Sequence, residues 1–108
     1  MDNTSVCMSA TKVYEAHDEF PEGDRWEAVA WAVPASEQFP EGVKYRFQYL
    51  GPDDEGILRY DNAHDAPGAG RHHRHYRGEV DGIEFEDLQT HIEQFLTEVE
   101  CIHDREFA

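Results

Sequence analysis

Hydrophobic and polar positions alternate most cleanly in the segment VKYRFQYL. Val43, Tyr45, Phe47 and Tyr49 fall on one side and Lys44, Arg46 and Gln48 on the other. Period two with aromatic and β-branched residues on one face marks a half-buried strand. GPDDEG follows as a turn and ILRYDN, Ile57 to Asn62, as the return strand of an antiparallel pair. Upstream, Lys12 to Phe20 alternates more weakly and PEGD is a turn; RWEAVAWAV, Arg25 to Val33, fits a helix or a strand, and its shortness after that turn favours the strand. Trp26, Ala28, Ala30 and Ala32 then share one face, opposite Glu27, Val29, Trp31 and Val33. Pro34 to Gly42 is a loop, and AHDAPGAG another. His72 to Arg77 gives a further strand, and Val80 to Phe85 a short strand or extended connection.

The period changes after Glu86. Leu88, Ile92, Phe95, Leu96, Val99 and Ile102 form one apolar stripe at helical spacing, predicting a helix from Glu86 to His103. A single stripe needs a sheet face to pack on. The pattern predicts an α+β fold, an antiparallel sheet of four to six strands with a C-terminal helix across one face. The polar first ten residues read as a frayed tail and residues 11–108 as one domain. No apolar stretch approaches the roughly 20 residues of a membrane span, and the start lacks the features of a signal peptide. Two cysteines, Cys7 and Cys101, fit reduced thiols in a cytoplasmic protein better than a disulfide scaffold.

Charge changes this picture. The formal net charge is −15, with acids scattered rather than blocked, a dispersal that fits adaptation to high salt. The basic groups are not scattered. From Lys44 to Arg77 there are six positive and five negative charges, whereas the rest of the chain holds three positive and 19 negative. Within this basic island His73 and His75 share a strand face, about 7 Å apart by strand geometry. Two imidazoles beside arginines can divide general-base and general-acid work on a phosphodiester, with cations meeting the developing charge. RNA carries its own nucleophile, the 2′-hydroxyl. Tyr60, Asn62 and Tyr76 are candidates to stack on bases or bond to them.

Other readings fit the same residues. An HxH pair is also a metal-ligand spacing, with His64, Asp61 or Asp65 to complete a site. The arginines could serve only as surface ion pairs. The island could dock an acidic partner without chemistry, its histidines setting a pH response. His17, His91 and His103 read as structural or solvated.

KYRFQYL, then LRYDNAH, a glycine-containing loop, HHRH and the periodic C-terminal helix together resemble the TumE family of toxins from toxin–antitoxin pairs, over roughly Val43 to Val99. Lys44, Tyr45, Arg46, Tyr60, Asp61, Asn62, His73 and His75 occupy the motif positions. The resemblance implies a small cytoplasmic toxin, a helix-turn-helix antitoxin as partner, and ribonuclease activity. The expected catalytic residues are His73, His75, Tyr60, Asp61 and Asn62. The expected substrate-binding residues are Lys44, Arg46, Arg71, Arg74 and Tyr76, with Arg46, Arg71 and Arg74 as the phosphate clamp. No cofactor or metal is expected in this reading; RNA is the substrate, and a homodimer is left open.

Overall fold

A computed structural model describes residues 10–63 and 71–108. Six antiparallel strands form one sheet in chain order: β1 (Thr11–Glu19), β2 (Arg25–Ala32), β3 (Val43–Leu50), β4 (Gly56–Asp61), β5 (His73–Tyr76) and β6 (Glu79–Gly82). One helix, α1 (Leu88–Glu106), follows and covers one face. The α+β expectation holds, with the helix beyond the sheet in sequence and its apolar stripe against it.

Period two is clearest in β2 and β3, and there the register assigns each side chain to a face. In β3, Val43, Tyr45, Phe47 and Tyr49 are buried toward α1, whereas Lys44 and Arg46 are exposed. Pairing of Phe47 with Ala28 and Tyr60, and of Tyr49 with Leu58, extends this inner face across β2 and β4. Ile92, Phe95, Val99 and Ile102 of α1 complete the core. Each such side chain contributes about 1.5–3 kcal/mol when fully buried, so this stripe, not helix propensity, holds α1 in place.

The ends of α1 differ from the sequence expectation for identifiable reasons. Asp87 is the N-cap, its side chain accepting from the Thr90 amide at 2.7 Å, so the helix starts after it. At the far end α1 runs past His103 to Glu106, whose carboxylate meets Arg77. The β5–β6 hairpin turns on Arg77 and Gly78, with φ of 45° and 90°. Positive φ at both central residues matches the turn whose twist suits a two-residue hairpin. The expected strand ended at Arg77; this turn shortens it to Tyr76.

β1 is interrupted by a register shift between Lys12 and Tyr14, which leaves Val13 52% exposed. No helix among the described residues is long and apolar enough to cross a membrane. Cys101 is exposed and unbridged. All of the expected tail but Ala10, with Cys7, and most of the loop before Arg71 lie outside the described residues.

Candidate functional site

The site lies on the sheet face that α1 does not cover. Register builds it. Arg46 pairs with Asp61, Gln48 with Arg59, Asp61 with His73 and Arg59 with His75. Alternation then turns all of these side chains to the same side, although they come from three strands separated by a loop.

Asp61 is the hub. Arg59 Nε lies 2.7 Å from its Oδ2, His73 Nδ1 lies 3.2 Å from its Oδ1, and His75 Nε2 lies 3.9 Å from that oxygen. Arg59 also reaches His75, with its Nη2 3.2 Å from the imidazole Nε2. The two rings stand perpendicular with centroids 6.0 Å apart. Exposure separates them: the side chain of His75 is 27% exposed and that of His73 only 2%. Burial, then the Arg59 charge, holds the His75 pKa below the ordinary histidine value. A neutral imidazole at neutral pH is the form that accepts a proton.

Asn62 does a different job. Its Oδ1 accepts from the Tyr45 amide at 3.0 Å and its Nδ2 donates to the Val43 carbonyl at 2.9 Å. The side chain continues the β3–β4 ladder where the backbone of β4 leaves it, which fixes the position of Asp61.

Lys44 and Arg46 flank the hub on β3. A depression of about 350 Å³ lies beside them, lined also by Trp31, Arg59, Asp61 and Ala63. Among the described residues neither Lys44 nor Arg46 has a carboxylate partner. Arg71 stands apart, donating to the Gln38 carbonyl at 3.1 Å.

Tyr60, Arg74 and Tyr76 face the other way, toward α1. Tyr60 donates to Glu98 Oε1 at 2.6 Å, and burial is the first cause that pushes its hydroxyl pKa up. Arg74 donates its Nε to Glu98 Oε2 at 2.9 Å, and a second nitrogen lies 3.6 Å from Asp81. Tyr76 lies between the guanidinium groups of Arg74 and Arg77, at 5.3 and 5.8 Å. The structure thus brings together Lys44, Arg46, Asp61, His73 and His75 from the ten expected positions. It places Tyr60, Arg74 and Tyr76 on the opposite face, Asn62 within the backbone ladder and Arg71 against the loop.

Three histidines outside the HxH pair, His72, His91 and His103, are built into the fold, whereas His17 is exposed. The Tyr45 hydroxyl sits 2.9 Å from both His91 Nε2 and His72 Nδ1, so it donates to one ring and accepts from the other. Burial lowers the His91 pKa to about 4. His103 Nδ1 lies 2.7 Å from Asp24, which also accepts from Tyr49, and Phe20 stacks on the imidazole. Sequence reasoning missed this second cluster because its members are far apart in the chain. It also left Arg59 out of the site, although Arg59 shares strand alternation with Asp61.

Among the described residues, two groups have donor atoms close enough for one cation: Asp61 with His73 and His75, and Glu22 with Asp24 and His103. The first has the two-imidazole, one-carboxylate set that transition metals accept. Arg59 weighs against it, because its guanidinium already neutralises Asp61 and faces the His75 nitrogen. His64 and Asp65, the other expected ligands, lie outside the described residues.

No curated protein and no solved structure matches the chain. The family of the toxin TumE does match, over residues 9–103. The match takes in all six strands and most of α1, including every residue of the Asp61 hub, and the chain belongs to the TumE toxin family.

Proposed function

We infer that this chain is the toxin of a toxin–antitoxin pair and acts as a metal-independent endoribonuclease on the uncovered face of its sheet. Family membership implies the toxin role and an antitoxin partner. The observation that carries the chemistry is the shared hub, in which one carboxylate, one guanidinium and two imidazoles converge beside Lys44 and Arg46.

In this reading His75 is the imidazole that meets the substrate. Arg59 rests on its Nε2 until a phosphate draws the guanidinium away and exposes the lone pair. His75 then takes the 2′-hydroxyl proton as the 2′-oxygen attacks phosphorus. The bond to the 5′-oxygen breaks, that oxygen receives the proton, and a 2′,3′-cyclic phosphate and a 5′-hydroxyl remain. Arg46 and Arg59 meet the charge on the non-bridging oxygens. His73 and Asp61, both buried, orient His75 and balance its charge. Tyr60, Arg74 and Tyr76 hold the fold beneath. A helix-turn-helix antitoxin, cytoplasmic residence and tuning to high salt complete the proposal.

Purified protein is expected to cut RNA in the presence of a chelator, leaving cyclic phosphate ends. Loss of cleavage in chelator with recovery on adding a divalent cation would move the assignment to a metal held by Asp61, His73 and His75. No cleavage under either condition would favour an interaction module.

A further inference from the structure

Aromatic residues that could stack on bases were expected at Tyr60 and Tyr76, but both lie on the helix side of the sheet. On the uncovered face the corresponding residue is Trp31. It is partly exposed in β2, and its cross-strand neighbours are Lys12 on β1 and Lys44 on β3. Lys44 Nζ lies 5.8 Å from the indole centroid. Arg46 is two positions along β3 on the same face. Two depressions flank the ring, one of about 350 Å³ toward Lys44, Arg46, Arg59 and Asp61, the other of about 260 Å³ toward Lys12, His17 and Glu27.

We propose that Trp31 and Lys44 form a stacking subsite for an unpaired base of single-stranded RNA, with Arg46 on the adjoining phosphate. The inference deepens the ribonuclease reading and rests on it for the direction in which the strand runs. The argument is geometric. Lys12 is already paired with Glu15 at 3.1 Å, but an indole face beside Lys44 and Arg46 offers what every nucleobase and its phosphate can use, without reading sequence. Trp31 and His75 are three strands apart and, because their rows cross β3 at Lys44 and Gln48, also four residues apart along the strands; at the usual strand spacing and rise that is roughly 20 Å, a span of a few nucleotides. A single strand can therefore stack at Trp31, pass Arg46 and Arg59, and present a phosphodiester at His75. A duplex cannot, because its bases are stacked on each other and its edges, not its faces, are displayed. The subsite thus selects unpaired RNA, and it places recognition on β2 and β3 while proton transfer stays on β5.

The test uses a 2′-O-methyl oligoribonucleotide, which lacks the internal nucleophile and is not cut. The difference between wild-type and Trp31→Phe emission isolates the signal of Trp31 while leaving Trp26 in place. Saturable quenching by the single strand, but not by the same strand annealed to its complement, is the expected result. Trp31→Ala is expected to weaken binding by roughly five- to a hundredfold, the range that one base–aromatic stack supports, and Trp31→Phe to retain most of the affinity. Equal quenching by duplex, unchanged affinity in Trp31→Ala, or equal quenching by polyglutamate would overturn the subsite. Failure of wild type to cut natural RNA, with stacking intact, would sink the ribonuclease reading and leave the subsite standing.

Discussion

The two faces of the sheet treat their arginines in opposite ways. On the helix side Arg74 and Arg77 are answered by Glu98 and Glu106, carboxylates that α1 supplies. On the open side Lys44 and Arg46 have no carboxylate partner among the described residues, and Arg59 shares Asp61 with two histidines. A basic island that is continuous in sequence is therefore two systems in space. One is an ion-pair network that secures the helix to β5. The other leaves cations and a titrating imidazole where an anion can reach them. Proximity in sequence to a histidine pair thus says little about an arginine's role until its face is known.

The strongest way to break this comparison is to remove His75. His75→Ala is expected to reduce RNA cleavage at least about a hundredfold, the lower end of acid–base contributions, with little change in thermal stability. Full activity in a folded variant would end its proposed role. The inner face should answer to acid instead. His91 is neutral when folded, its pKa lowered by burial to about 4. The unfolded chain gains a proton near the ordinary value of 6.5, so stability is lost as pH falls from there toward 4. The loss amounts to up to roughly 3 kcal/mol from this group. Denaturant melts of wild type and His91→Phe across that range are expected to diverge, the variant losing less stability on acidification.

Glu98→Ala sharpens the separation from the other direction. It strips Tyr60 and Arg74 of a partly buried partner, and is expected to cost about 1–3 kcal/mol of folding stability. RNA cleavage per folded molecule should be unchanged. A large fall in turnover with an intact fold would mean that the two faces are coupled. Arg59→Gln is subtler. Removing the neighbouring cation favours protonated His75, so its pKa rises from its lowered value. Because the base must be neutral, activity falls as pH drops through that pKa, and the acid limb of kcat/KM is expected to move to higher pH in the variant. The shape of the pH profile is the readout, since Arg59 also touches the phosphate. Last, the −15 net charge should make salt stabilising. Melting temperature is expected to rise between 0.1 M and 2 M potassium chloride as repulsion is screened.

Much of the fold was legible. The alternation of β3 set its bounds at Val43 and Leu50, and the apolar stripe identified α1. The pairing of His73 with His75 on one face followed from the same rule. The same alternation also splits YDN and HRHY, and this is where the sequence reading of the site fell short. Tyr60 and Asp61 are adjacent, as are Arg74 and His75, and each pair points to opposite sides of the sheet. Treating a motif as one unit placed Tyr60, Arg74 and Tyr76 with the histidines, although strand geometry separates them.

The sequence by itself determined which residues lie on a common strand face and where the helix carries its stripe, because both are local periodicities of the backbone. It could not determine which sheet face the helix would cover, or which strands would stand beside one another. Those depend on packing between segments distant in the chain: Tyr60 meets Glu98, Asp61 meets His73, and Asp24 meets His103. Only when α1 settles on the aromatic face of β3 and β4 does the opposite face remain open. Trp31, Arg46, Arg59 and His75, spread over four strands, then become one surface.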